Sequence, residues 1–134
     1  MFSFCTLFSG SSGNAAVLRT EGGALLIDCG MSGRQVLSAL QTARIDPAEL
    51  RAVLVTHEHS DHVKGVGVIS RKLNLPVYAT AGTWEGMAGA IGELPAAHRV
   101  LVEPGARCCS STASWSIPAW WARWPTACSL PDFC

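Results

Sequence analysis

Three of the four histidines, His57, His59 and His62, fall within six residues, with Asp61 among them. They follow directly on Ala52-Val53-Leu54-Val55-Thr56, an apolar, β-branched run that predicts a buried strand. Such a chain must place a polar, ligand-dense loop at the carboxyl end of a core strand. No other feature restricts the fold as much. Side chains alternate along extended backbone, so His57 and His59 are expected to point the same way. Two imidazoles on one side suit a zinc-like ion. Asp61 and His62 come next, on a tightening turn, and can address a second ion close by. Mixed nitrogen and oxygen donors fit Zn²⁺, Mn²⁺ or Fe without choosing among them. Glu58 follows His57, but position 61 is Asp, so the helical H-E-x-x-H arrangement is absent. The plain alternative is a polar surface loop with incidental histidines, and the tight clustering argues against it.

The rest of the chain supplies a frame for this loop. Residues 2–8 and 15–20 read as short strands joined by a tight Ser/Gly connection, and Gly22-Gly23 turns the chain into a third strand at 24–28. Ser32 is placed to cap a helix running to about Ala43, with Val36, Leu37 and Leu40 on one face. Asp46-Pro47-Ala48-Glu49 has the form of a second helix start, with Glu49 reaching back to complete a capping box. After the metal loop come a helix at 63–73 weakened by Gly65 and Gly67, a strand at 76–80, a helix at 83–91 and a strand at 99–102. A meander followed by alternating helices and strands predicts an α/β (α+β) fold, a mixed sheet with flanking helices.

At 134 residues the chain suits one domain. Its formal net charge is zero, so no basic stripe announces nucleic acid. If a phosphodiester is the substrate, bound metal must supply most of the attraction. The apolar start, Met1 to Phe8, has no Lys or Arg and is too short for a signal peptide. No apolar run reaches the roughly 18 residues of a membrane span. The expected location is therefore the cytoplasm, with no membrane partner. Cys5 and Cys29 sit alone in strand-like segments and read as buried thiols. His98 reads as a surface histidine.

Composition breaks at Pro104-Gly105. Residues 106–134 hold four of the six Cys and four of the five Trp, but no Gly and no Val. Trp115, Trp120, Trp121 and Trp124 follow neither a strand nor a helix period. The reading is thus two parts, a domain over 1–105 and an aberrant Cys/Trp-rich tail over 106–134. Cys, Trp, Ser, Pro, Ala and Arg are what G/C-rich DNA encodes when read out of frame, which points to a frameshift product. A genuine Trp-rich binding segment is the alternative. A zinc cluster of Cys108, Cys109, Cys128 and Cys134 has the wrong spacing for known zinc modules.

The run Thr56-His57-Glu58-His59-Ser60-Asp61-His62 after Val53-Leu54-Val55 resembles the H-x-H-x-D-H motif of the metallo-β-lactamase superfamily. Phe8-Ser9-Gly10-Ser11-Ser12-Gly13-Asn14 and Leu26-Ile27-Asp28-Cys29-Gly30 resemble the opening of its WalJ-like (YycJ-like) branch. The resemblance covers about residues 1–105. It implies the N-terminal half of an αββα sandwich, two divalent metal ions (Zn or Mn), and nuclease-like action on nucleic acid or another phosphodiester. It assigns His57 and His59 to the first ion, and Asp61 and His62 to the second. Asp61 would also orient the attacking water. Asp28 matches an acidic residue that ends the early strand and braces the metal loop, with a plain strand-end turn Asp as the alternative. Ser11, Ser12 and Asn14 either line the site or form a plain turn. Family members run to roughly twice this length and draw a further His, a bridging Asp and a final His from their second half. Here the only His after residue 62 is His98 and the only Asp is Asp132. Two functions follow: a metal-dependent phosphodiester hydrolase in full-length form, or a catalytically inactive truncated fragment.

Overall fold

The computed structural model describes residues 1–103 and the backbone of two further strands, Arg107–Ser110 and Ala113–Ser116. A six-stranded mixed sheet runs in the order β1 (Ser3–Phe8), β2 (Ala15–Thr20), β3 (Gly23–Ile27), β4 (Leu50–Leu54), β5 (Val77–Ala79) and β6 (Arg99–Leu101). The first three strands form an antiparallel meander, and β3 to β6 are parallel. Helices occupy the crossovers: α1 (Gly33–Thr42) between β3 and β4, and α2 (Ser60–Val63) with α3 (Val66–Leu73) between β4 and β5. The last, α4 (Ala81–Ile91), lies between β5 and β6.

Pleating divides the apolar residues between two faces. Val17, Leu26, Val53, Val55, Val77 and Ala79 join Val36, Leu40, Ile69, Trp84, Met87 and Ile91 in one buried cluster. The helices therefore cover that face. Ala16, Ile27, Leu54, Tyr78 and Val100 lie in register across β2 to β6 on the opposite face and are partly buried. One helix layer on one sheet is half of an αββα arrangement, as the sequence predicts.

Local chemistry explains most element ends. Ser32 caps α1, its hydroxyl accepting from Gln35 N–H while the Gln35 side chain accepts from Ser32 N–H. Asp46 caps as expected by accepting from Ala48 N–H, but only a three-residue 3-10 turn follows, Pro47–Glu49. Leu50 already belongs to β4, and the Glu49 carboxylate pairs with Arg19 at 2.8 and 3.0 Å instead of reaching back. The helix expected at 63–73 starts earlier, at Ser60, and is broken at Lys64-Gly65. Gly65 N–H donates to Cys29 C=O at 2.8 Å, and a Cβ there would collide with the Met31 carbonyl.

Three readings are corrected. His98 is buried, its ring nitrogens 3.0 Å from Ser70 Oγ and 2.7 Å from Asn74 Oδ1, partners from α3 that sequence distance hides. Cys5 is half-buried, whereas Cys29 is fully buried. No strand pattern is visible in the sequence at 107–116, yet the backbones of Arg107–Ser110 and Ala113–Ser116 pair antiparallel, in a sheet of their own. The reading of 106–134 as an aberrant tail, with the side chains of its Trp residues and of Cys108, Cys109, Cys128 and Cys134, lies outside what the structure describes. Among the described residues, no helix is long and apolar enough to cross a membrane.

Candidate metal centre

Three loops meet at the carboxyl ends of β3 and β4: the Ser/Gly loop after β1, the segment 28–31 after β3, and the segment 55–62 after β4. Backbone hydrogen bonds stitch them together. Asp28 N–H donates to Leu54 C=O at 2.8 Å, and Cys29 N–H to His62 C=O at 2.8 Å. Asn14 N–H donates to Asp61 C=O at 2.7 Å, while Gly30 N–H donates to Asn14 C=O at 2.9 Å. Gly30 allows the approach, because a Cβ there would collide with the Asp61 carbonyl oxygen and stand 2.6 Å from Asn14 N.

Asp28 lies at the centre. It adopts a left-handed conformation (φ 58°), which Asp tolerates better than most residues, and its side chain is buried. Its Oδ1 accepts from Thr56 N–H at 2.8 Å. Its Oδ2 accepts from the Thr56 hydroxyl at 2.7 Å and from His62 Nδ1 at 2.8 Å. These contacts fix two tautomers. His62 donates through Nδ1, so its Nε2 carries the lone pair when the ring is neutral. Thr56 spends its one hydroxyl proton on Asp28 and so accepts from His57 Nδ1 at 2.9 Å, which leaves the lone pair of His57 on Nε2 as well. Sequence reasoning missed that Thr56 links Asp28 to His57; its place directly before His57 is the available signal.

The His57 and His59 rings lie 4.8 Å apart edge to face, and those of His57 and His62 lie 3.9 Å apart. Glu58, between the two histidines, turns away and packs against Gly86 of α4, where a Cβ would stand 2.5 Å from its Cγ. Asp61 Oδ2 lies 3.4 Å from His62 Nε2. Asn14 Nδ2 lies 3.1 Å from Asp61 Oδ2 and 3.3 Å from His62 Nε2, which places the Ser/Gly loop at the site.

Burial, followed by the repulsion of His62, lowers the pKa of His57 and favours the neutral imidazole. For His62 burial also acts to lower the pKa, but the hydrogen bond and charge of Asp28, with Asp61 behind them, outweigh it and the pKa is raised. Burial, reinforced by Asp28, pushes the Cys29 thiol up to about 12, so it stays protonated and is a poor ligand or nucleophile.

Comparison with known proteins identifies the arrangement. The family model described as the metallo-beta-lactamase superfamily matches residues 9–127. The chain belongs to that superfamily. It is 41% identical to exodeoxyribonuclease YycJ of Bacillus anthracis over 102 residues, 76% of this chain and 39% of that protein. It is also 41% identical to exodeoxyribonuclease WalJ of Streptococcus pneumoniae over 106 residues, 78% of this chain and 39% of that protein. The chain thus spans about 39% of the length of these curated relatives. The fold matches a crystal structure of a subclass B3 metallo-β-lactamase from Bradyrhizobium japonicum, with a TM-score of 0.62 at 20% identity, over 77% of this chain and 44% of that one.

Metallo-β-lactamase folds bind divalent metal, and the donors here are of the right kind. As neutral rings His57 and His62 both carry a lone pair on Nε2, and Asp61 adds a carboxylate. Their number is short: among the described residues no three His, Cys, Asp or Glu are arranged to hold one ion.

Proposed function

We propose that this chain is the front half of a metal-dependent phosphodiester hydrolase, and that in a full-length protein it acts on nucleic acid in the cytoplasm. The observation that carries the reading is the Asp28–Thr56–His57 and Asp28–His62 network. It prepares two imidazoles with Nε2 lone pairs beside a carboxylate. His57 and His59 would hold one divalent ion, Zn²⁺ or Mn²⁺, and Asp61 and His62 a second. Bound metal would supply a nucleophile from water at neutral pH and stabilise the charge that develops on phosphate. The chain's own part is to present the donors, to hold their tautomers through Asp28 and Thr56, and to direct the attacking water through Asp61. The 41% identity to two exodeoxyribonucleases supports the choice of substrate.

A second reading concerns the 134 residues alone. Two donors per ion are fewer than the three protein ligands of catalytic zinc sites, so the isolated chain is inactive or nearly so. Both readings are tested by joining residues 1–103 to the remaining part of the Streptococcus pneumoniae WalJ protein and assaying linear DNA with Mn²⁺. The chimera should degrade DNA, the His59→Ala chimera should not, and the 134-residue chain should show trace turnover at most. A folded chimera without DNA hydrolysis would overturn the substrate assignment. Robust turnover by the isolated chain, lost on His59→Ala, would overturn the inactive reading.

A further inference from the structure

A net charge of zero conceals a segregation of charge. Residues 29–45 and 62–84 contain none of the ten Asp and Glu, yet they carry five of the ten Lys and Arg: Arg34, Arg44, Lys64, Arg71 and Lys72. The fold brings the two stretches side by side. Val36 and Leu40 of α1 share the buried cluster with Val66 and Ile69 of α3, and a Cβ on Gly33 would stand 2.7 Å from Val68 Cγ1. The outward sides of these two neighbouring helices therefore carry positive charge alone. Of the carboxylates that border the two stretches, Asp28 is spent on Thr56 and His62, and Asp46 on Ala48 N–H. Asp61 belongs to the donor loop, and Glu85 lies in α4. We infer that this α1–α3 surface is a track for the sugar-phosphate backbone of a DNA strand that reaches the 57–62 loop. The inference rests on the nucleic-acid reading above.

Arg34, Arg44, Lys64 and Lys72 are exposed and make no ion pair among the described residues. Arg71 differs, since its guanidinium donates to the carbonyls of Ile91 and Glu93 at 3.0 Å. Lys64, Val68 and Lys72 are spaced by four. Lys64 and Gly65 both keep right-handed helical backbone, so the three fall along one side of the helix. Lys64 to Lys72 is a rise of about 12 Å, roughly that of three to four nucleotides at about 3.4 Å each. Both helices start at the carboxyl ends of their strands, where the donor loop lies. Cys29 N–H donates to His62 C=O, and Gly65 N–H to Cys29 C=O, each at 2.8 Å. Arg34 and Lys64 thus stand at the site end of the track, Arg44 and Lys72 at its far end. Cations without carboxylate partners attract phosphate and release its counterions without reading the bases, which suits cleavage of the backbone at any sequence.

The test uses the full 134-residue chain in EDTA, so that metal plays no part. Lys64 and Lys72 are the only two lysines, which leaves the amino group of Met1 as an internal reference. Acetylation by acetic anhydride is followed by mass spectrometry with and without a 20-nucleotide single-stranded DNA at low salt. DNA should slow the modification of both lysines several-fold and leave Met1 unchanged. Equal rates with and without DNA, or protection of Met1 to the same extent, would overturn the track. So would protection by phosphatidylglycerol vesicles but not by DNA. Fluorescence anisotropy then compares two double variants of equal charge, Arg34→Gln with Lys64→Gln, and Arg51→Gln with Arg99→Gln. The first should weaken DNA binding and make its dependence on log salt shallower by about 0.7 for each cation lost, while the second should match the parent. Equal changes in both, as from net charge alone, would contradict the track. The two readings fail separately. A chimera that hydrolyses DNA while the lysines stay unprotected sinks the track alone, and protected lysines with an inert chimera sink the hydrolase reading alone.

Discussion

Gly30→Ala should cost about 3 kcal/mol of stability, the upper end for an overpacked site, and should prevent metal uptake at Asp61. The glycine is not there for its backbone freedom, since its φ is not positive. It is there because three loops converge on it. A Cβ at residue 30 would meet the Asp61 carbonyl oxygen and Asn14 N, both backbone atoms that cannot rotate aside. The Asn14–Asp61 and Gly30–Asn14 bonds would part together, and with them the carboxylate of Asp61. Gly89 provides the control. It lies within α4, and a Cβ there meets nothing within 4 Å, so Gly89→Ala should stabilise by about 0.5–1 kcal/mol. Urea titration of both variants checks the pair. A neutral Gly30→Ala would mean the loops can separate without consequence.

Asp28→Asn should weaken metal binding about 10–100-fold and cost about 1–3 kcal/mol, while leaving a folded protein. All three groups around the carboxylate are donors: Thr56 N–H, the Thr56 hydroxyl and His62 Nδ1. An amide has one oxygen, so whichever way it faces, its NH₂ meets a donor in a buried place. With Nδ1 no longer held, the His62 proton is free to shift to Nε2, the atom an ion needs. The backbone is spared, because Asn tolerates the left-handed conformation as well as Asp does. Calorimetric Mn²⁺ titration together with thermal unfolding measures both effects. Unchanged affinity in a folded variant would reduce Asp28 to a turn residue.

The sequence shows the elements of the fold because each carries its own local signal. The strands are apolar and β-branched, and Ser32 and Gln35 write the cap of α1 in plain view. The donor loop shows for the same reason, since His57, His59, Asp61 and His62 are neighbours in the chain. What stays hidden depends on contacts between segments far apart in sequence. Asp28 and Thr56 are 28 residues apart, so nothing local says that one carboxylate sets the tautomer of two histidines. Asn14 and Asp61 are 47 apart, and a Ser/Gly turn looks alike whether or not its asparagine reaches a partner. Glu49 follows the same rule: its spacing from Asp46 suggested a capping box, but the nearby Arg19 guanidinium from β2 offered a stronger, charged partner. His98 looked solvent-facing because its partners, Ser70 and Asn74, come from a helix and its cap more than 20 residues earlier.

The proposed function requires that the 57–62 loop bind metal. The direct measurement is a Mn²⁺ titration of the 134-residue chain beside its His57→Ala, His59→Ala double variant. Mn²⁺ is chosen because it prefers oxygen and nitrogen donors and is little drawn to thiols, so the six cysteines do not obscure the result. The parent chain should take up Mn²⁺, with a clear loss of stoichiometry or affinity in the double variant. Equal stoichiometry and equal affinity in the two proteins would contradict the proposed function.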